Sequence, residues 1–308
     1  MSLVFDRMLR GLINLVLGRR SARIEPMPLL ASFGEYSAFS GIVCYVELGE
    51  PAQEIKLGLD FSSTVTGVFS NHNGCPPFVG PCFDAAISTQ SVEDTSIRIN
   101  EVNLGRVHLQ YISSRNSVSE VAGFLGASPH SPIFAGKYIR LEEISSSSAG
   151  PLFSEIQRDR LPPRESVHRV VTGSTKWTIQ GTLRFGRSRD TRIELIECNP
   201  SEEDLVLPSS YEQMVLSLAA PGQLTIDSSN RLAGPCSDPA LSVELILGLP
   251  MNARVTVNSD ALIKDRDSDR CTFRIRFKRN IRESAVRIGR LLTRSVGRLT
   301  LDYRNKAI

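Results

Sequence analysis

An aspartate at the end of an apolar run is the first feature of this chain that could do chemistry. In LGLDFSSTVTGVFS, residues 57–70, Asp60 closes a short strand-like segment and is followed by small hydroxyl residues and Gly67. That order suits a carboxylate held at the mouth of a cleft, where it could work as an acid or a base. A second polar turn follows a strand-like segment in IELIECNPSEEDLVLPSSYEQM, residues 193–214, with Asn199 ahead of Glu202, Glu203 and Asp204. The remaining constellations are poorer. His72, His108, His130 and His168 are scattered without ligand spacing, so no metal site is expected. Ser62, Ser63 and the serines at 145–148 sit in no Gly-x-Ser-x-Gly elbow, and the latter read as a surface loop. No phosphate-cradling glycine loop is present, and no cofactor is expected.

The six cysteines divide by setting. Cys75 and Cys82 bracket the loop GCPPFVGPC, and Cys236 and Cys271 flank strand-like segments of the last third. Neither pair has a CxxC companion, so local disulfides are the expectation, with an oxidising compartment implied. Cys44 and Cys198 read as buried thiols.

These groups need a scaffold, and pattern says which kind. A chain of 308 residues can hold two domains and a large core. RVHLQYI, KWTIQGTLRFG, ARVTVNS and CTFRIRFKR alternate or carry β-branched and aromatic residues between turn residues. A mainly β protein with few short helices follows. The helices expected are PLFSEIQRDRL at 151–161, SSYEQMVLSLAA at 209–220 and the N-terminus. The stretch 1–24 has apolar residues at helical spacing with Arg7, Arg10, Arg19 and Arg20, too interrupted to span a bilayer. It reads as a basic amphipathic helix for targeting or anchoring at a membrane surface or a partner.

The net charge is +3, yet the chain from Arg254 onward is basic. Arg274, Arg276 and Lys278 alternate with Phe273, Ile275 and Phe277, which puts the three cations on one strand face. That face reads as a solvated outer face, or more sharply as a contact for an acidic protein or anionic lipid. No aromatic-studded motif accompanies it, so nucleic acid is not an expected partner.

From about Ser37 onward the chain resembles the pepsin-like aspartic peptidases. YVELGEPAQEIKLGLDFSSTVTGVFS is similar to the segment carrying that family's first Asp-Thr-Gly turn. GFLGASPHSPIF, GPLFSEIQRDRLPPR, GTLRFGRSRD and RIGRLLTRSVGRLTLDYRNKAI resemble later landmarks in the family's order. The resemblance implies a bilobal fold, with lobes at 25–165 and 166–308, each lobe giving one catalytic turn to a central cleft. Both cysteine pairs fall where family members often carry disulfides.

The same resemblance exposes what is missing. The family's chemistry needs two carboxylates that share one proton, one as base towards water and one as acid towards the peptide carbonyl. Asp60 stands at the first position, but Phe61 and Ser62 replace threonine and glycine, and Gly67 falls where tryptophan is usual. At the second position, counting back from Pro208 lands on Asn199, followed by Pro200 and Ser201. Asparagine matches aspartate in shape but exchanges no proton near neutral pH. The segment from Phe83 to Leu104, where a substrate-closing hairpin belongs, holds no tyrosine and no glycine; Tyr111 beyond it reads as core packing. The expectation is therefore a noncatalytic relative, a structural or protein-binding subunit of a larger assembly. Its compartment leans towards a mitochondrial or other intracellular membrane-associated one. Two alternatives are a peptidase pairing Asp60 with Glu202 or Glu203, and an apolar-peptide binder using the residual cleft.

Overall fold

The computed structural model describes residues 35–37, 41–72, 74–76, 79–99, 102–112, 120–143, 152–157, 168–186, 192–236, 241–247, 253–279 and 285–308. The helix expected over 1–24 and the serine run at 145–148 lie outside these residues.

Short, β-branched and aromatic-rich segments give a mainly β structure with few short helices. The first sheet uses β1 (Glu35–Ser37), β2 (Gly41–Leu48), β3 (Gln53–Asp60), β4 (Thr66–Val68), β5 (Thr95–Ile99), β6 (Val102–Val107), β7 (Leu109–Tyr111) and β8 (Gly123–Gly126). Two strands follow, β9 (Tyr138–Glu143) and β10 (Leu152–Gln157). The second large sheet begins with β11 (Thr178–Phe185), β12 (Arg192–Cys198), β13 (Leu205–Pro208), β14 (Thr225–Ile226) and β15 (Arg231–Pro235). It continues with β16 (Val243–Leu247), β17 (Ala253–Val257), β18 (Ile263–Asp267), β19 (Arg270–Lys278) and β20 (Val286–Ile288). The last strand is β21 (Arg298–Asp302), and the short helices are α1 (Glu212–Leu216), α2 (Ser259–Leu262) and α3 (Arg290–Val296).

The two large sheets repeat one topology. The first runs β6-β5-β2-β3-β8-β4-β7, and the second contains β17-β16-β11-β12-β20-β13-β19. Corresponding neighbours agree in direction. The pairs β3/β8 and β12/β20 are parallel, β8/β4 and β20/β13 antiparallel, and β4/β7 and β13/β19 parallel again. Corresponding strands also come in the same chain order, with β14, β15 and β18 as additions in the second copy. After each copy a helical turn leads to one more strand, β9 or β21, and these two pair antiparallel from Arg298↔Glu142 to Asp302↔Tyr138. The buried apolar side chains, with Trp177, Phe61, Phe83, Phe134, Phe185, Phe273 and Phe277 among the largest, form one cluster.

One expected helix is a strand. Over 151–161, the described part Leu152–Gln157 is β10, paired with β9 from Leu152↔Glu143 to Gln157↔Tyr138. Leu152, Phe153 and Ile156 are spaced ambiguously between helix and strand, and an adjacent strand offering a full ladder decides the matter. The helix expected over 209–220 is there in short form, a 3₁₀ turn at Ser209–Tyr211 leading into α1.

Candidate functional site

The repeat brings Asp60 and Asn199 to equivalent places. Asp60 ends β3 opposite Gly126 on β8, and Cys198 ends β12 opposite Ile288 on β20, so Asn199 and Gly289 follow in the same register. Each side chain is held alike. The Ser62 amide donates to Asp60 Oδ1 at 2.8 Å, and the Ser201 amide donates to Asn199 Oδ1 at 3.2 Å. Ser62 Oγ donates to the same Asp60 oxygen at 2.6 Å. The glycine facing each turn is required by close approach. A Cβ on Gly126 would lie 2.4 Å from the Val65 carbonyl oxygen, and one on Gly289 would lie 1.9 Å from that of Asn199.

Asp60 and Asn199 line one cleft of about 340 Å³ together with Gly58, Leu59, Phe61, Phe69, Ile112, Val121, Gly123, Phe124 and Ser201. Asp60 is the only carboxylate among those lining residues. Phe61 does not reach across to brace the turns; it is buried in the core. The brace comes instead from Ser201, whose Oγ donates to the Leu59 carbonyl at 3.1 Å and accepts from the Ile42 amide at 3.3 Å. Gly67 is covered by the Phe124 ring, which a Cβ at that position would meet at 2.6 Å.

A second tie lies behind the first turn. The Ala127 amide donates to the Asp60 carbonyl at 2.8 Å, and the Ala127 carbonyl accepts from Trp177 Nε1 at 2.9 Å and Tyr303 Oη at 2.8 Å. The two rings meet edge to face, centroids 4.9 Å apart. Burial pushes the Tyr303 phenol well above its ordinary range, so it stays a donor.

The acids after Asn199 are committed elsewhere. Glu203 pairs with Arg274; Glu202 accepts from Arg276 at 3.0 Å and lies 3.9 Å from Arg287. Asp204 accepts from Arg231 at 2.8 Å. Burial alone would raise the Glu203 carboxyl, but Arg274, with Lys264 and Arg290 beyond, holds it below the ordinary glutamate value. These pairs also show what covers the basic face of β19. Arg274 is buried beside Glu203, Arg276 is partly exposed, and Lys278 is partly buried. Burial, and then the charge of Arg287, lower the Lys278 ammonium, an effect that Glu197 opposes.

The last part of the segment read as lacking a substrate-closing hairpin, from Thr95, forms the β5–β6 hairpin, whose register runs from Thr95↔Val107 to Ile99↔Val102. None of its described residues lines the cleft. Tyr111, expected in the core, is 38% exposed, because β7 is three residues long and ends the strand order of its sheet.

Cys75 is bonded to Cys82 and Cys236 to Cys271. Cys44 and Cys198 are buried thiols; burial pushes both up to about 12, with Glu197 adding to the effect on Cys198. Such thiols are poor nucleophiles. Of the histidines, His168 is buried between backbone bonds to Ile308, and its burial lowers its pKa; His130 Nε2 lies 3.1 Å from the Ser174 carbonyl oxygen. Among the described residues no group of His, Cys, Asp or Glu is placed to hold a metal, and no helix is long and apolar enough to cross a membrane.

No family model matches the chain, and no curated protein matches it.

Proposed function

We propose that this chain is a noncatalytic, two-lobed relative of the pepsin-like aspartic peptidases that works by binding other proteins as a subunit of a larger assembly. The observation that carries the reading is the pairing of equivalents: one turn of the repeat presents Asp60 and its counterpart presents Asn199. A peptidase of this kind needs a proton shared between two carboxylates. An amide in one of the two places offers a hydrogen bond but no titration.

Three further features support the reading. The seven-strand repeat supplies two like halves with the cleft between their turns. Among the described residues, none of the β5–β6 hairpin belongs to the cleft wall. The alternative pairing of Asp60 with Glu202 or Glu203 is opposed by the arginines that hold both glutamates. On this reading residues 1–24 supply an anchor to a partner or a membrane surface.

The test is peptide hydrolysis at acid pH. The purified chain and its Asp60→Ala variant are incubated with an unfolded protein substrate, and product is followed by mass spectrometry. Equal background from both is expected. Cleavage that depends on Asp60 would remove the proposal.

A further inference from the structure

The hydrogen bonds around the cleft leave two polar groups open. Asp60 Oδ1 already takes two donors from Ser62, while Oδ2 takes none among the described residues. Asn199 Oδ1 accepts from the Ser201 amide, which leaves its Nδ2 as a donor. Ser201 has no proton left to donate, its hydroxyl donating to Leu59 and accepting from Ile42. No lysine or arginine is among the described residues that line the cleft, so none of these gives the Asp60 carboxylate a counter-ion there. The rest of the wall is apolar, from Leu59, Phe61, Phe69, Ile112, Val121 and Phe124.

These groups constrain what can enter. An apolar ligand pressed against that wall strips water from Asp60, which is costly unless the ligand brings a positive charge. The Asn199 amide asks separately for a carbonyl oxygen. An ammonium, a carbonyl and an apolar side chain occur together on the first residue of a polypeptide with a free N-terminus. A cleft of about 340 Å³ is at the small end of ligand sites and suits one large side chain with its backbone.

We infer that the cleft captures the free N-terminus of a partner polypeptide whose first side chain is apolar, with the ammonium on Asp60 and the first carbonyl on Asn199. The inference rests on the reading of the chain as a binding protein. The Asp60→Asn variant is a fair probe of it, because Asn199 already occupies the same kind of turn with the same amide bond.

The experiment is calorimetric titration with Leu-Gly-Gly amide, its N-acetylated form, and N-acetyl-Gly-Lys amide. Binding of the free peptide is expected, with at least a tenfold loss on acetylation and a like loss in Asp60→Asn. Urea unfolding confirms that the variant is folded. Equal binding of the acetylated peptide, tighter binding of the lysine peptide, or no binding of any at millimolar concentration would each overturn the inference. None of these outcomes touches the noncatalytic reading, which falls only to Asp60-dependent hydrolysis.

Discussion

Ser201 donates its hydroxyl proton to the carbonyl of Leu59, the residue before Asp60, across 142 positions of sequence. The same oxygen accepts from the Ile42 amide. One small side chain from the second turn thus fastens two strands of the first sheet, in a place where Phe61 has no hydroxyl to offer.

Removing that hydroxyl should be felt as stability. Ser201→Ala leaves the Leu59 carbonyl and the Ile42 amide short of a partner, and we expect a loss of about 1–2 kcal/mol in urea unfolding. Ser62→Ala, which loses only a bond to the half-exposed Asp60, should cost less. Equal effects would contradict the bracing role.

Gly126 and Gly289 should not tolerate alanine. Backbone oxygens stand 2.4 Å and 1.9 Å from where the new Cβ would sit, and neither can retreat without moving its turn. Overpacking of this kind costs about 1–3 kcal/mol or more. Gly80→Ala, with nothing within 4 Å, is the control and should leave the melting temperature unchanged.

Glu203 should make stability depend on pH. Its folded pKa is held below the ordinary value by Arg274, so its contribution is present above the unfolded pKa and is lost as pH falls through the folded one. Glu203→Gln should therefore be less stable than the parent at neutral pH. The gap should close progressively as the solution is acidified below the usual glutamate range. A gap of constant size would show that the charge of Glu203 is not what matters.

The two disulfides should differ in weight. Cys236–Cys271 closes a 35-residue separation and Cys75–Cys82 one of 7. On the chain-entropy argument, losing the first costs about 4 kcal/mol and losing the second about 2 kcal/mol. Paired Cys→Ser variants, compared by denaturant unfolding, should rank in that order.

Much of the scaffold was legible because strand alternation is a strong local signal. KWTIQGTLRFG and CTFRIRFKR read as strands and form β11 and β19. The turn at Asp60 was legible in the order of residues, and the family resemblance, counted back from Pro208, pointed to Asn199. What escaped is set by contacts between distant segments. Alternation put Arg274 on a face but could not say that the Glu202–Asp204 turn would fold over it. Leu152–Gln157 fitted either period until a neighbouring strand settled it. The hydroxyl of Ser201 was visible, but its partner on β3 was not.

The Ala127 carbonyl, which receives Trp177 and Tyr303, binds the order of synthesis to the order of folding. Its donors lie 50 and 176 residues downstream, so a chain emerging from the ribosome makes β8 long before either ring exists. Until then that oxygen must be served by water. The floor beneath Asp60 is therefore finished only when the turn that carries Tyr303 has docked.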